Sequence, residues 1–103
     1  MVDAFAALAN PVRRQILVFL QRGPRNVSDL ASNFELGRPA ISEHLQVLRK
    51  AQLVREEPRG RERFYHLDPR PLTDVSKWVS TFERYYKQRL TDLEQLLDEE
   101  DSR

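Results

Sequence analysis

The chain has 103 residues, 32% of them charged, with a formal net charge of +1. That length suits one domain with a modest core, to which a dimer adds shared apolar surface. There is no cysteine, which excludes disulfides, thiolate metal ligation and thiol redox sensing.

In chain order, Asp3 to Ala9 reads as a short helix with Phe5 and Leu8 on one side, broken at Asn10-Pro11. Asn10 is a capping residue and Pro11 is tolerated in a first helical turn. From Pro11 to Arg22, Val12, Ile16, Phe19 and Leu20 fall at helical spacing, and Gly23-Pro24 stops the run. Asn26 can cap a third helix, Val27 to Phe34, whose buried side would hold Val27, Leu30, Ala31 and Phe34. Leu36-Gly37 supplies a turn, and a fourth helix starts near Arg38-Pro39. Ile41, Leu45 and Leu48 form its single buried stripe, while Arg38, Ser42, Glu43, Gln46, Arg49 and Lys50 face outward. Ala31 is small enough for close helix approach, and Ile41, ten positions later, is the apolar plug a helix-turn-helix needs. Such a unit lays its second helix in a DNA major groove.

Leu53 to Leu67 has the pattern of a hairpin around Pro58-Arg-Gly-Arg61, with its register left open because Phe64 and Leu67 do not alternate strictly. Leu72 to about Asp98 is the longest predicted helix. Leu72, Val75, Val79, Phe82, Tyr86, Leu93 and Leu97 nearly make a heptad seam, which Trp78, Tyr85, Leu90 and Leu96 broaden. Either this stripe folds back within its own subunit or it meets a second copy, and its breadth favours the second copy. Residues 1–98 are thus expected to form one DNA-binding and dimerisation domain, and residues 99–103 a disordered acidic tail.

Charge is unevenly spread. Residues 1–67 carry 11 basic and 7 acidic side chains, net +4, and residues 68–103 carry 6 and 9, net −3. Nucleic acid at one end would explain this division, and so would ordinary solvated surface. The chain does not open with a basic stretch followed by an apolar run, and no apolar run approaches a membrane span. A cytoplasmic protein without signal peptide or membrane segment is expected.

The order helix, helix, helix-turn-helix, basic-tipped hairpin, long helix resembles the ArsR/SmtB family of bacterial winged helix-turn-helix repressors. Leu8-Ala-Asn-Pro-Val-Arg-Arg-Gln-Ile-Leu17 is similar to the family's opening LADPTRRxIL stretch. Ala40-Ile-Ser-Glu-His-Leu-Gln-Val-Leu-Arg-Lys-Ala-Gln-Leu-Val54 is similar to its AVSxHLxVLRxAGLV recognition helix and exit, and Gly60-Arg-Glu-Arg-Phe-Tyr65 to its wing. The resemblance spans residues 4–67 closely and 68–97 more loosely. The aromatic last helix looks most like the metal-free, autorepressor-type branch that includes the SdpR-like proteins. It implies a mainly α fold of five helices with a small β-hairpin, dimerising through the first and last helices. The interface residues would be Phe5, Leu8, Val75, Trp78, Val79, Phe82, Tyr86, Leu90, Leu93 and Leu97.

The departures from the family bear on metals. The family's thiolate-sensing third helix reads Cys-Val-Cys-Asp-Leu, whereas Asn26 and Ser28 hold the two cysteine places here. Its other site draws on histidines of the last helix, and this chain has none after His66. No metal and no cofactor is expected. Gly37 stands where the family usually has a capping serine.

The expected DNA partner set follows from the recognition helix and wing. Arg38 suits a bidentate guanine contact; Ser42 and Gln46 suit base or phosphate. Pro39 and Ala40 set shape and touch a thymine methyl. Glu43 either accepts from a cytosine amino group or points away. His44 sits where the family places a groove-facing histidine, the alternative being that it packs the wing. Arg59 and Arg61 suit a minor groove or its phosphates, with Arg63 and Tyr65 as further backbone contacts. Arg49 and Lys50 touch phosphate or form surface pairs, and so do Arg13 and Arg14.

The expected function is a sequence-specific regulator of transcription, a homodimeric repressor on an imperfect inverted repeat, with double-stranded DNA as partner. The alternative is a winged-helix module that binds protein. No nucleophile–base pair, metal cluster or phosphate-cradling glycine loop is apparent, so an enzyme is not expected. Release would rest on an unidentified small molecule between the long helices, on a partner protein, or on plain autoregulation.

Overall fold

The computed structural model describes residues 2–101. It divides into two compact units, one up to Thr73 and the other from Asp74 onward. The first holds four helices and a three-stranded antiparallel sheet. They are α1 (Ala4–Ala7), α2 (Pro11–Leu20), β1 (Arg25–Asn26), α3 (Val27–Ala31), α4 (Arg38–Lys50), β2 (Val54–Arg59) and β3 (Glu62–Leu67). A fifth helix, α5 (Leu72–Asp101), begins at the end of the first unit and from Asp74 forms the second.

The helix starts are written in capping side chains. Asp3 accepts from Ala6 N–H at 2.8 Å, and Asn10 accepts from Val12 and Arg13 N–H at 2.8 and 3.2 Å. Asn26 accepts from Asp29 N–H at 2.8 Å. Each supplies an acceptor to N–H groups that the first helical turn leaves without one. Gly37 begins α4 with no side-chain cap, as its missing hydroxyl implies. α3 is shorter than the spacing predicts. Residues 32–34 turn away from it, and Phe34 meets Phe19 edge to face at 5.8 Å instead of extending a helical stripe.

α4 ends in a Schellman motif: Leu53 N–H donates to Leu48 C=O and Gln52 N–H to Arg49 C=O, both at 2.9 Å. The left-handed position belongs to Gln52, φ +60°. Leu48 and Leu53, the apolar pair that closes such a motif, are both fully buried.

The core lies where α2, α3 and α4 meet the start of the hairpin. Ile16, Leu30, Ile41, Leu45, Leu48 and Leu53 are wholly buried, so the expected α4 stripe is the packed face. Leu17 and Tyr65 join them at 7% and 3% exposure, which sequence spacing did not indicate.

The sheet order is β1-β3-β2. Sequence reading anticipated only the hairpin; the third strand is the residue pair just before α3, with Arg25 opposite Tyr65 and Asn26 opposite Phe64. In the hairpin, Val54 stands opposite Leu67 and Arg59 opposite Glu62, leaving Gly60-Arg61 as the turn, with Gly60 at φ +62°. Pro58 and Arg59, expected in the turn, remain in β2. That strand is an edge, where a residue without an N–H is tolerated.

α5 runs unbroken to Asp101, so Glu99 and Glu100 are helical and the expected tail reduces to residues outside the description or at its limit. Among the described residues, no helix is long and apolar enough to cross a membrane.

Candidate nucleic-acid interface

A groove of about 380 Å³ lies between the start of α3, the outward side of α4 and β3 with its turn. Its walls include Asn26, Ser28, Arg38, Ser42, Gln46, Arg61, Arg63 and Tyr65. Arg38, Ser42 and Gln46 are four residues apart and so share one side of α4. Three guanidinium groups and three hydroxyls on one concave surface form a site suited to phosphate oxygens and base edges.

The arginines differ in what they already hold. No ion pair within 4 Å engages Arg38 or Arg61 among the described residues. Arg59 is bound by Glu57, Nε to Oε1 at 3.0 Å and a second guanidinium nitrogen to Oε2 at 3.2 Å, and lies 4.4 Å over the Phe64 ring. The Arg59 pair, with His66 Nε2 at 2.5 Å, holds the Glu57 carboxyl down to about 2. Arg63 pairs with Glu56 at 3.0 Å, and Arg49 pairs with the same carboxylate at 3.6 Å.

Of the expected α4 contacts, Arg38, Pro39, Glu43 and Arg49 are exposed, and Ala40, Ser42, His44 and Gln46 are half-buried. The Nδ1 of His44 lies 3.3 Å from an Arg13 nitrogen of α2, a contact that neither alternative for this residue included. Tyr65, expected on the DNA backbone, is a core residue whose hydroxyl donates to Glu56 at 3.3 Å. Desolvation, and then the Glu56 charge, push its phenol up.

Among the described residues, no ion pair within 4 Å engages Arg13 or Arg14. Arg13 donates to the carbonyls of Ala7 at 2.6 Å and Ala6 at 3.3 Å, and Arg14 to that of Leu8 at 2.7 Å. These cations close the end of α1: the Ala7 and Leu8 carbonyls take a guanidinium donor, and the Ala6 carbonyl adds one to the Ala9 N–H it already accepts. Asn26 and Ser28 were missed as groove residues, and so was Glu56, whose carboxylate Gln46, Arg63 and Tyr65 of the groove walls hold. Only the strand register, which sets Glu56 opposite Tyr65, could have found Glu56.

On α5, Trp78, Val79, Phe82, Tyr86, Leu90, Leu93 and Leu97 are all exposed, from 43% at Phe82 to 65% at Tyr86. Val75 is half-buried. On α1, Phe5 is 42% exposed and Leu8 half-buried, while Ala4 and Ala7 face the core.

Comparison with known proteins agrees with this architecture. Residues 10–56 match the family model described as bacterial regulatory protein, arsR family. The HTH-type transcriptional regulator Rv2034 of Mycobacterium tuberculosis is 40% identical over 97 residues, 94% of this chain and 88% of that protein. The transcriptional repressor SdpR of Bacillus subtilis is 33% identical over 82 residues, 80% of this chain and 91% of that one. A crystal structure described as a possible transcriptional regulator for arsenical resistance superposes with a TM-score of 0.77 at 34% identity, covering 89% of this chain and 97% of its own. Winged-helix fold, polar reading helix and basic wing thus coincide with full-length relatives, and the chain belongs to the ArsR family of DNA-binding transcriptional regulators.

Proposed function

We propose that the protein is a homodimeric repressor that reads an imperfect inverted repeat in double-stranded DNA and carries no metal-sensing site. The N-terminal half of α4 enters the major groove, the β2–β3 turn meets the neighbouring backbone or minor groove, and α1 and α5 join the two copies. The observation that carries this reading is the groove itself, with the unpaired Arg38 and Arg61 on its walls. Arg38 is the base reader and Arg61 the sequence-independent contact; Arg59, already neutralised by Glu57, contributes less. Repression follows the likeness to SdpR, a named repressor. Asn26 and Ser28 support the absence of a thiolate site, since Asn26 Oδ1 is committed to capping α3. Two copies related by a two-fold axis would set their reading helices roughly 34–36 Å apart, one turn of DNA.

The test begins with selection of duplexes from random sequence by the purified protein, followed by gel-shift titration of the enriched duplex and a scrambled one. Arg38→Ala should weaken the enriched duplex by about 5- to 150-fold and the scrambled one little. Arg61→Ala should weaken both alike and reduce the salt slope by about 1. Equal losses on both duplexes for Arg38→Ala reject base reading by that residue. Failure to enrich any duplex rejects the DNA reading and favours the alternative, a winged-helix module that binds protein.

A further inference from the structure

Four side chains converge on the Glu56 carboxylate, two from each side of the groove. From α4, Gln46 Nε2 donates to Oε1 at 3.3 Å and an Arg49 nitrogen lies 3.6 Å from the same oxygen. From β3, Arg63 donates to Oε2 at 3.0 Å and the Tyr65 hydroxyl to Oε1 at 3.3 Å. Gln46 Oε1 in turn faces Arg49 at 3.5 Å. The Glu56 side chain is 14% exposed, and no other carboxylate of the first unit joins a reading-helix side chain to the wing among the described ion pairs. Burial pushes this carboxyl up, but the Gln46 hydrogen bond, the Arg49 and Arg63 charges and the Tyr65 hydroxyl outweigh it and lower it, so the group is ionised at neutral pH.

A negative charge here opposes what phosphate attraction alone requires. It lowers the potential of a groove walled by Arg38, Arg61 and Arg63, and it occupies two of the arginines a phosphate would otherwise take. It also fixes the amide of Gln46, because one amide oriented by both a carboxylate and a guanidinium cannot rotate freely. We propose that Glu56 is a specificity-determining positioning residue, which holds Gln46 in register for a base edge and keeps Arg49 and Arg63 from adding to sequence-independent attraction. The inference rests on the DNA reading above.

Glu56→Gln tests it, because glutamine keeps the shape and an acceptor while removing the charge. With the enriched and scrambled duplexes, affinity for the scrambled one should rise about 3- to 10-fold, as two partly exposed ion pairs are released. Affinity for the enriched duplex should rise less, so the specificity ratio falls. The plot of log affinity against log salt should steepen by about 1 to 2, one counterion for each freed arginine. Adding Arg49→Gln should return about half of that slope. A wild-type ratio and slope in Glu56→Gln overturn the proposal while leaving DNA binding intact. A parallel loss on both duplexes with a lowered melting temperature also overturns it, by showing a purely architectural role. If the wild-type protein enriches no duplex, the DNA reading and this inference fall together.

Discussion

Leu93→Glu tests the proposed dimer where the structure makes its cost calculable. Leu93 is 52% exposed on the apolar stripe of α5. Complete burial of a leucine is worth about 1.5–3 kcal/mol, so covering the remaining half contributes about 1 kcal/mol per copy. Two-fold symmetry doubles that to about 2 kcal/mol. A carboxylate at the same place must be desolvated among leucines or take up a proton, which costs about 1 kcal/mol or more for each copy. The sum, about 4 kcal/mol, corresponds to a dimer dissociation constant about 1,000-fold higher. Leucine and glutamate have similar helix propensities, and the side chain is half exposed without a partner, so the folded chain and its circular dichroism should be unchanged. Sedimentation equilibrium provides the measurement. Gln95→Glu is the control: it adds the same charge two residues on, roughly on the opposite side of the helix, and should leave the constant within a few-fold. A Leu93→Glu protein that associates like the wild type would refute the interface, and a wild type that stays monomeric at high concentration would refute the dimer.

Two further predictions concern the first unit. Gln52 occupies the left-handed position of a Schellman motif, where glycine has no Cβ penalty. Gln52→Gly should stabilise the protein by about 1 kcal/mol in urea unfolding with an unchanged slope, and destabilisation would contradict the strain reading. The Arg59 hydrogen bonds, followed by that of His66, hold Glu57 at about 2, below its ordinary 4.5. Because the folded value is the depressed one, the stabilisation from this pair is full above about 4.5, fades as pH falls and is gone below about 2. A carboxyl resonance of Glu57 followed by NMR should titrate near 2 in the wild type and return toward 4.5 in Arg59→Ala. A wild-type midpoint near 4.5 would show that the ion pair does not persist in solution.

Features that depend on neighbours a few residues apart were legible in the sequence. Asn10 and Asn26 announce helix starts because a cap and the N–H groups it accepts from lie two or three residues apart. Ile41, Leu45 and Leu48 announce a buried face because helical periodicity alone puts them on one side. With the order of elements, these residues determined the winged helix-turn-helix, the family, and the location of the reading helix and wing. Tertiary structure decided what each charged group holds. Arg13 and Arg14 close the end of α1, His44 meets Arg13 from 31 residues away, and Tyr65 buries its ring in the core with its hydroxyl on Glu56. Glu56 gathers Gln46, Arg49, Arg63 and Tyr65 only once the β2–β3 register is set and α4 lies against β2. An arginine's long side chain can reach many partners, and local sequence does not rank them; the packed backbone does, by bringing one carboxylate or carbonyl within reach and leaving the others in water.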